Sequence, residues 1–237
     1  MAKSAVVVVP TTGAAELQRC LESVLWQTYP ATHLYVVCDG PLFLPAVHEI
    51  LAGFDSPAIR LMALPDNVGA GGFYGHRIFA ATSHLVSEDY LLFLDQDNWF
   101  DPDHVASLVH TIEARDLAWA YSLRKICAKD GTFLFNDNCE SLGKWPAWTG
   151  INHVDTNSYC LKREVAVGVS SVWHGSWGQD RIFYKALDRH FPKYDCSGKY
   201  SVNYRLGGNP GAVTPDFFER GNASMTPNQD GSYPWQR

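Results

Sequence analysis

The stretch Tyr90 to Asp103, YLLFLDQDNWFDPD, decides how the rest of the chain is read. Tyr90, Leu91, Leu92, Phe93 and Leu94 form an apolar run short enough for a buried strand and too short for a helix. Polarity then flips to Asp95, Gln96, Asp97 and Asn98. On an extended chain alternate side chains share a side, so Asp95 and Asp97 are expected together at the strand's mouth. Two carboxylates held that close repel unless a cation sits between them. A hard divalent ion that keeps positions open for diphosphate oxygens suits such a pair. The same residues also read as a capped loop, with Asp101 starting the next helix before Pro102. On this motif alone both readings stand.

Bulk properties narrow the field. The 237 residues allow one α/β domain or two small ones, and 46% hydrophobic with 19% charged residues is ordinary for a soluble globular protein. A net charge of -6 without any Lys/Arg run argues against a nucleic-acid surface. The apolar stretches are far shorter than a membrane span, and Pro10 stops the run Ala5–Val9 too early for a signal peptide. Six cysteines without CxxC spacing speak against zinc and read as reduced, buried small hydrophobes. The expected location is cytoplasmic.

Upstream of Tyr90, strands and helices alternate. Ala5–Val9 is a β-branched run, the mark of a strand covered on both faces. Glu16 to Trp26 carries Leu17, Cys20, Leu21, Val24 and Leu25 at helical spacing. Leu34–Cys38 reads as a strand ending in Asp39-Gly40, Pro45 to Phe54 as a helix, and Ile59–Ala63 as a short strand. This order predicts right-handed crossovers and a mostly parallel sheet. Ligands bind such sheets at the carboxyl ends of the strands. Pro10–Gly13, Asp39, Asn67 onward and Asp95–Asp97 are therefore expected to converge on one edge. In PDNVGAGGFYGHR (residues 65–77), Gly69, Gly71, Gly72 and Gly75 permit close backbone approach ahead of a helix Tyr74–His84. No GKS or GKT follows, and the loop does not follow the first strand, so neither a Walker loop nor a dinucleotide fingerprint is present.

The second half is less regular. A helix is predicted from Asp103 to Arg115, a strand over Leu117–Leu123, and a hairpin turn at Lys129–Thr132. The loop Asn136–Asn152 is rich in Trp and Gly; its tryptophans either face sugar rings or pin the loop to the core. Polar residues from Asp155 lead into a strand ending near Arg163. A helix Ile182–His190 follows WHGSWGQDR (residues 173–181). The tail Gly221–Arg237 is polar and aperiodic, with Trp235 either anchoring it or extending from it.

Together, VVVVPTTG, LYVVCDG, NVGAGGFYGHR and LFLDQD resemble an inverting, family-2-type glycosyltransferase of the GT-A fold. NVGAGGF is similar to the NxGGAGGF block of galactofuranosyl- and rhamnosyltransferase-like members, and the likeness runs over residues 5–205. The resemblance implies a single domain over residues 1–220, split into a nucleotide-sugar half (1–103) and an acceptor and base half (104–220), with 221–237 as the tail. By that likeness Pro10, Thr11, Thr12 and Asp39 line the nucleoside pocket. Asn67, Gly71, Gly72, Arg77 and Gln96 lie along the donor, and Asp95 with Asp97 hold Mn2+ or Mg2+ on the diphosphate. Asp39 also reads as a turn-forming Asp-Gly pair.

Inversion needs a base for the acceptor hydroxyl. Relatives carry an acidic pair before a helix; here Gln179-Asp180 stands there, so Asp180 is the expected base. Trp148, Trp177 and His174 are the expected acceptor contacts. Many relatives place a metal-binding His after the base helix. None follows His190 in this chain, and Arg205 is an alternative partner for diphosphate oxygens. The implied reaction is hexosyltransferase-type transfer from a UDP- or dTDP-sugar to a saccharide or glycolipid hydroxyl, in bacterial surface polysaccharide or glycoconjugate synthesis. A homo-oligomer is compatible with it. An idle glycosyltransferase-like binding module is the main alternative, favoured by Gln179 and the missing His. A sugar-1-phosphate nucleotidyltransferase is disfavoured, because PTTGAAELQR has one Gly and a late Arg19 where a triphosphate would lie.

Overall fold

Ala5–Thr11 (β1) is the strand around which both layers assemble, and every one of its residues is buried. Val6 and Val8 face one core, with Phe79, Val165 and Phe183. Val7 and Val9 face the other, with Leu17, Val47 and Leu108. Alternation at a period of two therefore puts apolar side chains into two cores at once, which is why the run has no polar positions. The structure, a computed structural model, describes residues 3–208 and 213–236. Asn209 and Arg237, each within a stretch read above, lie outside the described residues.

β1 extends through Pro10 to Thr11, two residues past the predicted end. The Val8 carbonyl accepts from Leu94 N, so residues 8 and 10 point toward the strand Tyr90–Phe93 (β4). That pairing ends at Val8 opposite Phe93, so Pro10 removes no ladder hydrogen bond. The helix Leu17–Leu25 (α1) leads to Thr32–Cys38 (β2), and Leu44–Leu51 (α2) to Ile59–Ala63 (β3). His76–Leu85 (α3) then leads into β4. Trp99–Phe100 (β5), His104–Arg115 (α4), Trp119–Cys127 (β6) and Phe133–Asn136 (β7) follow. Tyr159–Lys162 (β8), Arg163–Val169 (α5), Gln179–His190 (α6), Tyr194–Arg205 (β9) and Pro215–Ser224 (α7) complete the order.

The strands form one sheet in the order β3-β2-β1-β4-β8-β6-β9-β5, with β7 on β6. β1 to β4 are parallel, as expected. β8 runs antiparallel to both β4 and β6, which brings its start beside the end of β4. β6 runs later than the predicted Leu117–Leu123, and the helix predicted from Ile182 begins at Gln179. In the tail, Trp235 takes the anchoring position. Trp235 is 2% exposed, donates to the Tyr200 hydroxyl at 2.9 Å and stacks on Tyr233. All six cysteines are buried and free. Among the described residues no helix is long and apolar enough to cross a membrane.

Candidate active site

At the carboxyl ends of β1, β2 and β4 lies a cleft of about 750 Å³, within the usual range for a ligand site. Pro10, Thr11, Thr12, Asp39, Asn67, Asp95, Gln96, Asp97, Trp177 and Asp180 all line it. The convergence expected from the strand order is thus present.

Asp95 and Asp97 share the cleft for a reason other than strand alternation. The chain turns after Leu94, and the Asn98 amide donates to the Asp95 carbonyl at 3.1 Å. Both carboxylates therefore sit on one turn, not on an extended segment. Burial, then the charges of Asp97 and Asp155, push the Asp95 carboxyl up to about 7. Burial also raises Asp97, against the pull of the Arg205 guanidinium. Arg205 bonds Glu16 at 2.8 Å, and its own main-chain amide donates to Asn98 Oδ1 at 2.8 Å.

Gln96 organises the first loop. Its Oε1 accepts from Thr11 Oγ1 at 2.7 Å and from Thr12 N at 3.1 Å, and its Nε2 donates to Thr12 Oγ1 at 3.1 Å. Asp39 does the same for the glycine-rich loop. Its two oxygens accept from Val68 N at 2.8 Å and Gly69 N at 2.9 Å. That approach leaves no room at residue 69, where a Cβ would lie 2.3 Å from the Tyr74 carbonyl and 2.6 Å from Asp39 Oδ2. Asp39 is thus a loop brace as well as a wall of the cleft.

Asp180 lies in the first turn of α6, with Oδ1 accepting from Arg181 N at 2.9 Å. His153 Nε2 stands 3.8 Å from Asp180 Oδ2. Gln179, in place of an acidic partner, turns inward, is 7% exposed and donates to the Val172 carbonyl. Trp177 is 75% exposed at the rim, with the Arg181 guanidinium 5.0 Å from its ring.

Five expected residues are not among those lining the cleft. Gly71 and Gly72 adopt left-handed φ of 73° and 87° and face open space. Arg77 lies on the Phe73 ring at 3.5 Å and donates to the Val68 carbonyl. Trp148 packs edge-on against Phe217 at 5.3 Å, so it pins its loop to α7. His174 is exposed elsewhere.

The cleft also holds groups that the sequence reading left unassigned: Glu16, Arg124, Lys129, Glu140, His153 and Asp155. Arg124 is 3% exposed and bonds Asp137 at 2.8 Å, Asp155 at 2.6 Å and Glu140. One signal was available. The polar HVDTN (residues 153–157) abuts the apolar β8, the same abrupt flip seen at Leu94–Asp95.

Residues 6–166 match the profile of Glycosyl transferase family 2. Among solved structures the fold is similar to S. aureus TarS 1–349 at TM-score 0.65 and 15% identity, covering 85% of this chain and 60% of that one. TarS 1–349 in complex with UDP-GlcNAc gives TM-score 0.65 at 13% identity, covering 92% and 64%. The mannosyltransferase PcManGT from Pyrobaculum calidifontis, solved with GDP-Man and Mn2+, gives 0.57 at 12% identity, covering 83% and 55%. A 57-residue segment is 42% identical to an uncharacterized protein of Haemophilus influenzae, covering 24% of this chain and 38% of that protein. The chain therefore spans less than two thirds of the length of these proteins, and the identities to the solved structures carry the fold alone. With the family profile running over more than half of its length and its sheet matching theirs, this chain belongs to Glycosyl transferase family 2 and has the GT-A fold.

Proposed function

We propose that the chain is an inverting glycosyltransferase that moves a sugar from a UDP- or dTDP-sugar to a saccharide or glycolipid hydroxyl. The observation that carries this reading is the meeting, in one cleft, of the Asp95/Asp97 turn, the Gln96-braced first loop and Asp180. The complexes of similar structures with UDP-GlcNAc and GDP-Man support the donor class.

Asp95 and Asp97 form a hard oxygen donor set whose mutual repulsion a cation would relieve, so these two residues fit Mn2+ or Mg2+. Among the described residues no cluster of three His, Cys, Asp or Glu side chains could hold a metal, so phosphate oxygens and water would fill the remaining positions. When bound, such an ion supplies charge neutralisation for the departing diphosphate. Thr11, Thr12 and Asp39 hold the nucleoside, while Lys129 and Arg205 face the phosphates. Asp180 accepts the proton of the acceptor hydroxyl as that oxygen attacks the anomeric carbon from the face opposite the leaving group. Trp177 offers its exposed ring to the acceptor sugar. Holding attacking oxygen, anomeric carbon and leaving oxygen in line supplies much of the rate. A bacterial surface polysaccharide or glycoconjugate is the product in this reading.

Calorimetric titration with UDP, dTDP and GDP, each with and without Mn2+, tests the proposal. One nucleotide is expected to bind in a Mn2+-dependent way. Asp97→Ala should lose that binding, and Asp180→Ala should keep it while losing transfer by about 10²–10⁴-fold. Binding of no nucleotide under either condition would leave the idle-module reading in front.

A further inference from the structure

Asp95 is held by a buried amide that reaches it from the turn ahead of the neighbouring strand β8. Asn157, 1% exposed, accepts from the Asp95 main-chain amide through Oδ1 at 2.6 Å. Its Nδ2 donates to Asp95 Oδ2 at 3.2 Å and to Asp155 Oδ1 at 2.8 Å. The orientation of the amide is forced. Oδ1 meets an N–H, whereas Nδ2 meets two carboxylate oxygens, so a flipped amide would lose all three bonds.

Asn157 is itself fixed from behind. Asp155 Oδ1 also accepts from Asn157 N at 3.0 Å, and Asp155 Oδ2 accepts from Arg124 Nη1 at 2.6 Å. Ser141 Oγ accepts the Asp155 amide at 2.8 Å, and Arg124 is anchored in turn by Asp137 and Glu140. The chain of bonds runs from buried guanidinium to carboxylate to amide to cleft carboxylate. It ties Asp95 Oδ2 to Asn157 and so fixes the direction of the carboxylate.

We infer that Asn157, held by Asp155 and Arg124, is a positioning residue that sets the orientation of the Asp95 carboxylate and with it the affinity of the donor site for a divalent cation. This rests on the donor-site reading above. A purely structural latch between the ends of β4 and β8 would make the same bonds but would not tune cation affinity. Partners that orient a ligating carboxylate have a measurable signature, a loss of about 10–100-fold in metal affinity when they are changed.

The test uses the whole chain saturated with UDP, with dTDP and GDP run in parallel, and Mn2+ as titrant. Asn157→Asp keeps the size and an acceptor for Asp95 N, but removes the donation and sets a carboxylate against Asp95 and Asp155. Asn157→Ala removes the arm altogether. The Mn2+ midpoint is expected to rise by about 10–100-fold in both variants. Saturating Mn2+ should restore full nucleotide binding, and the circular dichroism of the apo protein should be unchanged. An unchanged Mn2+ midpoint, or loss of fold in both variants, would overturn the inference and leave Asn157 a latch. If wild type binds no nucleotide with Mn2+, the donor-site reading falls as well. If wild type binds and the variants match it, only the present inference falls.

Discussion

Asp95 carries its charge where the protein resists it. Burial first, then the neighbouring charges of Asp97 and Asp155, raise its carboxyl to about 7 from an ordinary value near 3.8. Between those two values the folded chain holds a proton that the unfolded chain has released. Folded stability therefore falls as pH rises through this window, the reverse of a salt-bridged carboxylate. Asp95→Asn removes the ionisation and keeps the shape. Its melting temperature should exceed that of the wild-type apo protein at pH 8 and by much less at pH 5. Equal differences at the two pH values would show that Asp95 is not strained by its charge. The trade fits a site whose ligand, not its fold, is meant to satisfy the carboxylates.

At the level of elements, Asp180 is placed by aromatic packing. Phe183 on α6 stacks on Trp173 at 4.2 Å and meets Phe93 of β4 edge-on at 6.1 Å. Those contacts settle the roll of α6, so that Asp180, in its first turn, faces the cleft. The C-terminal segment works in the same way. Trp235 closes over β9 through its bond to Tyr200 and lies 5.8 Å from Trp145. Trp235→Ala is expected to cost about 3–5 kcal/mol, the usual range for deleting a buried large aromatic. Urea denaturation measures it, and a loss below about 1 kcal/mol would mean that the segment adds nothing to the core.

For the whole molecule, the buried Arg124 is the electrostatic hub. It joins β6 to Asp137 and Glu140 at the start of the Trp-rich loop and to Asp155 ahead of β8. Arg124→Met would leave three carboxylates without their cation and should cost about 3–5 kcal/mol at pH 7 by urea denaturation. Burial alone would raise Asp137, but the Arg124 charge and backbone amides more than reverse it, so its carboxyl is depressed. A depressed carboxyl contributes stability above its unfolded value and loses it as pH falls through the folded one. The stability gap between wild type and Arg124→Met should therefore narrow as pH falls through the folded value of Asp137, because the variant no longer has a depressed carboxyl to protonate. A gap that stays the same from pH 7 down to the acid transition would contradict this assignment.

Local chemistry alone settled a good deal. The Ala5–Val9 run, the helical spacing of Leu17 to Leu25 and the flip at Leu94–Asp95 encode burial on one or two faces, and each needs only near neighbours. The parallel order of β1 to β4 then puts Thr11, Asp39, Asn67 and Asp97 on one edge, as the order of elements predicts. Tertiary structure alone decided the rest. β8 runs antiparallel to β4, which sets Asn157 against Asp95 across 62 positions of sequence. Arg124 gathers carboxylates from three separate loop positions, and Trp148 turns to α7 while Trp177 stays at the rim. Polar side chains in irregular segments carry no periodicity. Their direction follows from strand register and from which buried charge needs a partner, and both are properties of the packed chain.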